Sequence, residues 1–275
     1  MQTVLITGAS TGIGHAAALR LAAKGIHVFA GVRSAQAGNA LREAGGANVT
    51  PLELEVTDAA SIERARQTVQ DALPASPLQG LVNNAGISIP GPLELLSDAD
   101  LHKQFEVNFF GAMATTRAFL PLLRRSRGRV INISSIAGKC SVPFVGAYAA
   151  SKFALEGASD ALRLELAPFG VRVILIEPGA VATPIWQRGG DLARAVLAQL
   201  SPEQIAPYRE ALERFSTLAT RSGKGGISPH RVAAVIDEAL FGTKPRARYL
   251  VGNDARVQLM LARLPEGLRD RIFMR

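Results

Sequence analysis

The stretch TVLITGASTGIGHAAALRLAAKG, Thr3 to Gly25, decides the fold. Thr3-Val4-Leu5-Ile6-Thr7 is a short apolar run of the kind that forms a buried strand. His15 to Lys24 has helical character and is closed by Gly25. Between them lie Gly8, Gly12 and Gly14, in Gly8-Ala9-Ser10-Thr11-Gly12-Ile13-Gly14. Glycines at a strand-to-helix turn let the backbone approach a pyrophosphate, whose charge meets the free N–H groups and the dipole of the helix. The alternative is a plain glycine turn, and the flanking strand and helix favour the phosphate reading.

The same alternation continues. His27-Val28-Phe29-Ala30-Gly31 reads as a second strand, Val49 to Val56 as a third ending at a helix capped by Asp58, and Leu81-Val82 opens a fourth. Val130, Ile131 and Ile133 form a further buried strand, Val171 to Ile176 another, and Arg248 to Val251 a last edge strand. Asp98 to Arg125, Tyr148 to Ala167 and His230 to Leu240 are helical in pattern. This predicts an α/β fold: an open, doubly wound, Rossmann-like parallel sheet of about seven strands flanked by helices, as one domain over residues 1–275. Residues 184–228 interrupt the pattern with two amphipathic helices and a loose connection at Gly223, Gly225 and Gly226. They either close over the cleft or extend the core. Residues 254–275 form an amphipathic tail broken at Pro265, suited to pack on the body, another subunit or a membrane surface.

Composition narrows the function. Hydrophobic residues make up 48% and charged residues 20% of 275, which excludes disorder as the main state. The lone Cys140 rules out an intramolecular disulfide and a cysteine zinc site, and no metal site is expected. The expected setting is reducing and cytoplasmic, with no signal peptide and no membrane span. The net charge of +8 is spread along the chain, and its densest cluster, Arg124 to Arg129, reads as a solvated connection, so no nucleic-acid partner is expected.

The motifs fall largely at the carboxyl ends of strands, where such sheets bind ligands. Arg33 follows the second strand, and no carboxylate occurs between Gly25 and Arg42; an arginine there accommodates a 2′-phosphate and argues for NADP(H) over NAD(H), both admitted. Asn83-Asn84-Ala85-Gly86 is either a backbone turn against a ligand or an Asx turn alone. In RVINISSIAGKCSVPFVGAYAASK, Arg129 to Lys152, Tyr148 and Lys152 share one helical face. An ammonium beside a phenol stabilises the phenolate and is expected to lower the tyrosine pKa toward a range suited to acid/base work. Ser135 ends the strand before them. Asn108, inside an apolar helical run, has a local hydrogen-bonding explanation when read by itself.

Together these motifs resemble the short-chain dehydrogenase/reductase family, in its long-established branch of roughly 250-residue enzymes, over Thr3 to Val251. Thr7 to Gly14 fits the family's TGxxxGxG loop, Asn83 to Gly86 its NNAG motif, Tyr148 to Lys152 its YxxxK and Pro178-Gly179 its PG motif. The resemblance selects Ser135, thirteen residues before Tyr148, over Ser134, and reassigns Asn108 as a fourth catalytic residue. It implies hydride exchange between the nicotinamide and a carbonyl or alcohol carbon. Tyr148 would be the general acid/base, Lys152 would hold the nicotinamide ribose and lower the Tyr148 pKa, Ser135 would bind the substrate oxygen, and Asn108 would position a relay water. It also implies cofactor contacts from Gly8, Ser10, Ile13 and Arg33, from Asn84 at the ribose and from Thr183 at the carboxamide, with Gly12, Gly14, Ala85, Gly86, Pro178 and Gly179 shaping the same site.

Leu54-Glu55-Val56 departs from the leucine-aspartate-valine run of many relatives, which contacts adenine. The phrase from His27 to Arg33, the segment after Thr183 and the tail from Tyr249 resemble the steroid- and retinol-dehydrogenase side of the family, implying a small hydrophobic carbonyl or alcohol substrate. A homodimer or homotetramer is implied, through the helices of Asp98 to Arg125 and Tyr148 to Ala167. The competing reading is a catalytically idle NADP-binding regulator or scaffold.

Overall fold

The structure, a computed structural model, describes residues 2–73 and 77–273; the ends of the expected 1–275 domain and of the 254–275 tail lie outside the described residues. Its centre is a parallel sheet of seven strands: β1 (Thr3–Ile6), β2 (His27–Val32), β3 (Val49–Glu53), β4 (Gly80–Asn83), β5 (Arg129–Ile133), β6 (Arg172–Pro178) and β7 (Arg248–Val251). Their spatial order is β3-β2-β1-β4-β5-β6-β7. The order reverses direction between β1 and β4, which places the topological switch point beside the glycine loop.

The crossovers supply the layers. In chain order they are α1 (Gly12–Ala22), α2 (Ala35–Gly45), α3 (Ala59–Ala72), α4 (Asp98–Phe105), α5 (Gly111–Ser126), α6 (Gly146–Glu165), α7 (Ile185–Leu197), α8 (Pro202–Ile205), α9 (Arg209–Gly225), α10 (Pro229–Phe241), α11 (Asn253–Leu261) and α12 (Glu266–Phe273). Successive strand residues point to opposite faces, so Val4 and Ile6 pack with α1, α2 and α10, whereas Leu5 packs with α3, α5 and the end of α6. Both faces are therefore buried, as the continuous apolar runs of the strands require. Phe29 and Phe119 are among the largest fully buried side chains, and each contributes roughly 1.5–3 kcal/mol by leaving water. Asp237 of α10 ties down α1 through Arg20 at 2.9 Å and Lys24 at 2.5 Å.

Caps explain several boundaries. Asp58 accepts from Ala60 N at 2.9 Å to open α3, as its position suggested. Ser97 and Asp100 close a reciprocal capping box on α4. Two expectations need correction. The helical run from Asp98 to Arg125 is not continuous α-helix, because residues Glu106–Phe110 form a wider π turn between α4 and α5. Gly223 and Gly225 do not make a loose connection; they lie within α9, where Gly223 packs directly on Trp186 of α7. The excursion is seated on the body by Leu192, Val196 and Leu200, which join Ile87, Ile89 and Leu96 in a separate apolar cluster. The Arg124–Arg129 cluster is also only partly solvated: Arg129 donates to Ala239 O and Gly242 O, and Arg124 lies 4.1 Å from the Phe169 ring centre.

Two helical glycines give opposite expectations. At Gly111 an added Cβ would lie 2.8 Å from Val56 Cγ2 and 2.9 Å from the Val56 carbonyl oxygen, so backbone blocks it. At exposed Gly157 of α6 nothing lies within 4 Å. Gly157→Ala should therefore stabilise by about 0.5–1 kcal/mol through helix propensity, whereas Gly111→Ala should destabilise by about 1–3 kcal/mol through overpacking. Urea midpoints of the two variants check this, and equal signs would contradict the described contact.

Candidate active site

The glycine loop is built to bring backbone close to a ligand. Gly8 and Gly12 have φ of +64° and +59°, a region costly for other residues. A Cβ on Gly14 would lie 2.4 Å from Asn84 Nδ2 and 2.6 Å from Gly8 O, so the start of α1 lies hard against β4. Thr11, at the N-terminal boundary of α1, makes no side-chain cap, and the first turn carries no acidic residue. The first N–H groups of that helix are thus left for an anion. Arg33 stands exposed just beyond β2, 3.9 Å from Glu55 Oε2, and Arg188 of α7 donates to Thr11 Oγ1 at 3.4 Å. A diphosphate-bearing dinucleotide fits this donor set: uncapped helix, left-handed glycines and two arginines at the rim.

The 83–86 turn is fastened to that loop. Thr7 Oγ1 accepts from the N–H groups of Asn84 and Ala85, both at 3.0 Å. Asn84 Nδ2 donates to Thr7 O and Gly8 O at 2.9 and 3.0 Å. The Asn84 amide group is thus committed to the loop, and the turn is more than a local Asx turn. Behind it Asn83 Nδ2 bonds Thr116 Oγ1 and Asn132 Oδ1, both at 2.8 Å, and Asn132 Nδ2 bonds Ser159 Oγ at 2.8 Å. This buried polar chain crosses from β4 through β5 to α6.

The four residues expected to do chemistry converge beside the turn. The π turn carries Asn108, only 1% exposed, and aims its amide at Ile87: Oδ1 accepts from Ile87 N at 2.9 Å and Nδ2 donates to Ile87 O at 3.0 Å. Nδ2 also reaches Ser151 Oγ at 3.0 Å, and Ser151 Oγ in turn donates to Tyr148 O at 2.7 Å. Asn108 therefore joins the 87–89 segment to α6, which the purely local reading of it did not include. Lys152, 5% exposed, donates to Ile133 O at 2.8 Å and sits 5.7 Å from the Tyr148 ring centre. A Cβ on Gly86 would touch both partners, 3.4 Å from Asn108 Oδ1 and 3.9 Å from Lys152 Nζ. Ser135 lies two residues beyond β5 with its Oγ accepting from Ala137 N at 3.1 Å, while the neighbouring Ser134 Oγ is buried without a partner among the described residues.

Electrostatics here are dominated by burial. Lys152 is pushed down to about 8 because its ammonium is taken out of water, with the Glu156 carboxylate working against the shift. Tyr148 is raised rather than lowered: desolvation outweighs the hydrogen bond from Ser135 that opposes it, although the residue is only half-buried. The expected lowering by Lys152 is thus not what the chain's own atoms produce. A protonated phenol beside a charged lysine can donate a proton to an oxygen placed between Ser135 and Tyr148.

The remaining predicted contacts lie on the loop after β6. Gly179 N donates to Val251 O at 2.9 Å, and Thr183 packs so closely on the glycine loop that a Cβ on Gly12 would lie 3.0 Å from its Cγ2. Two residues not singled out in the sequence hold these loops. Asp254 of α11 accepts from Ala180 N at 2.6 Å. Gln104, fully buried, brackets the 87–89 segment, accepting from Ile89 N at 2.8 Å and donating to Ile87 O at 2.9 Å. A buried glutamine one turn before Asn108 was the only available signal. Cys140 is buried, its thiol pushed up by desolvation.

Comparison with known proteins agrees with this geometry. The chain is 37% identical over 257 residues, 93% of its length and 88% of the relative's, to 3-amino-tetrahydro-pyrrolizinone reductase of Xenorhabdus hominickii. It is 35% identical to human retinol dehydrogenase 16, covering 98% of this chain and 87% of that one. It is 33% identical to the NADPH-dependent 3-dehydrocapnine reductase of Ornithobacterium rhinotracheale, with 99% and 96% covered. The crystal structure of a Burkholderia phymatum short-chain dehydrogenase/reductase in complex with NAD superposes with a TM-score of 0.79 at 26% identity, covering 94% and 92%. Residues 2–191 match the family model described as short chain dehydrogenase, and the chain belongs to that family of oxidoreductases.

Proposed function

We propose that this chain transfers hydride between NADP(H) and the carbonyl or secondary alcohol of a small hydrophobic substrate, with Tyr148 as general acid/base. The observation that carries the reading is the convergence of Asn108, Ser135, Tyr148 and Lys152 beside the Gly8–Gly14 loop and the Asn84–Gly86 turn. The bound nicotinamide supplies or accepts the hydride. Tyr148 hands its proton to the substrate oxygen in reduction and takes one in oxidation. Ser135 steadies that oxygen, Lys152 holds the cofactor ribose and keeps positive charge beside the phenol, and Asn108 orients water on the lysine side of Gly86. Gly12, Ile13 and Ser10 line the phosphate approach, with Ala85, Pro178, Gly179 and Thr183 closing the nicotinamide end.

An apolar substrate follows from the excursion after Thr183. Leu192 and Val196 of α7 pack with Ile87 and Ile89, which lead away from the Asn108 anchor, so residues 184–228 form the covering wall of the cleft. The retinol dehydrogenase among the relatives accords with such a substrate. We assign the protein to the cytoplasm, in keeping with its lone buried thiol. A homodimer or homotetramer would cover Phe110, Phe153 and Leu164, exposed by 50%, 47% and 65%. Among the described residues no helix is long and apolar enough to cross a membrane.

Tyr148→Phe should reduce kcat/KM for NADPH-dependent ketone reduction by roughly 10²–10⁴-fold while leaving NADPH affinity within a few-fold. Unchanged turnover would remove Tyr148 from the mechanism, and absent turnover in the wild type across apolar ketones and alcohols would favour an idle cofactor-binding regulator. Arg33→Ala should weaken NADPH binding about tenfold, or ~1.4 kcal/mol, and leave NADH unaffected; equal effects on the two would contradict the 2′-phosphate assignment. Lys152 is charged below its pKa, so reduction should hold through neutral pH and decline as pH rises through about 8, read as kcat/KM against pH.

A further inference from the structure

The helix that carries Tyr148 and Lys152 continues the same face with Glu156 and Asp160, each four residues on. Glu156 is 4% exposed, as is Glu177 at the end of β6. Two cations reach them from other elements. Arg248 of the edge strand β7 bonds Glu156 Oε2, Glu177 Oε1 at 2.7 Å and Asp160 Oδ2 at 2.5 Å. Lys139, on the loop after Ser135, bonds Glu156 Oε2 at 2.8 Å and stands 3.8 Å from Glu177 Oε1. A third cation, Arg163 of the same helix, stands 3.4 Å from Asp160 Oδ1, so three carboxylates face three cations. The second Glu156 oxygen, Oε1, is buried without a partner among the described residues. No step assigned above uses any of these residues.

We propose that Glu156 is a positioning residue for Lys152, its buried carboxylate, one turn further along the same face of α6, serving as the counter-charge of the Lys152 ammonium. The Oε1 left without a partner keeps that carboxylate able to act on a further cation. An ammonium so far from water needs such a partner, since its only hydrogen bond among the described residues goes to the neutral carbonyl of Ile133. The remaining groups against it are Asn108, which is neutral, and the Tyr148 phenol. Glu156 is the one charge acting to keep Lys152 protonated against desolvation, and Glu177 is held above its usual range by burial and by the Glu156 charge. The chemistry of the site is thereby tied to β7, at the far edge of the sheet from β3.

The inference rests on the role given above to Lys152, yet it is read without turnover. Lys152 is followed by NMR titration of protein labelled with 13C-lysine, its signal assigned by its loss in Lys152→Ala. Glu156→Gln should lower the Lys152 pKa by about one unit or more, and Lys139→Gln, which leaves the carboxylate less neutralised, should raise it. The alkaline limb of the activity profile should move with it, toward lower pH in the first variant and higher pH in the second. Opposite movements are the expected result. A Lys152 titration that stays in place, or moves the same way in both variants, overturns the proposal and leaves Glu156 a packing residue. If Glu156→Gln does not fold, Lys139→Gln decides alone, an unmoved or lowered pKa being the overturning result. Turnover that persists in Lys152→Ala while the titrations shift oppositely would refute the catalytic reading and leave the action of Glu156 on Lys152 standing.

Discussion

All seven strands run parallel, and much else is a consequence of that. A parallel neighbour cannot be reached by a tight turn, so each crossover must leave the carboxyl end of one strand and return to the amino end of the next. Every carboxyl end therefore opens on the same side. At the point where the strand order reverses, β1 and β4 deliver Gly8 and Asn84 to one crevice without any helix between them. Both faces of the sheet must be covered, which uses the apolar sides of α1, α2, α3, α5, α6 and α10 and leaves the strand ends as the place for polar function.

Within that crevice, backbone satisfaction is shared between segments distant in sequence. Thr7 holds the turn after β4, Asn84 holds the loop after β1, and Asn108 and Gln104 hold the segment that follows the turn. Asp254 does the same for the loop after β6. Loop backbone fixed this way is preorganised, with little ordering left for a ligand to drive. The excursion of α7 to α9 is attached by different means: an apolar cluster at Val196, the edge-on rings of Phe144 and Tyr208, and a 2.6 Å bond from Tyr208 to Glu94.

Much of this was legible in the sequence because it depends on spacing along one element. A strand, three glycines and a helix specify a phosphate-type turn, and a tyrosine four residues from a lysine specifies a shared face. The resemblance to a family supplied Asn108, whose residue-by-residue reading pointed to a local bond. That reading failed physically because the helix widens at 106–110 and turns the amide toward Ile87, a change no periodicity argument anticipates. Asp254 and Arg248 were silent for another reason: their partners lie 74 and 71–92 residues away, and only the fold brings them together. The glycines of α9 looked like a hinge because composition alone does not reveal that Trp186 needs the room.

The wide turn at Glu106–Phe110 has one more implication, for which changes in chain length the protein tolerates. A π turn is a helical turn with one residue added, so deleting a residue there would restore regular winding and leave the helix downstream in nearly the same angular register, whereas deletion from a regular stretch rotates everything downstream by about 100°. Thr115, Thr116, Phe119 and Leu123 would keep their face to the sheet, and Asn108, which the wide turn aims at Ile87, would be re-aimed. The wide turn thus confines the cost of a one-residue deletion to the site: the core face of α5 would survive it, and the anchor at Asn108 would not.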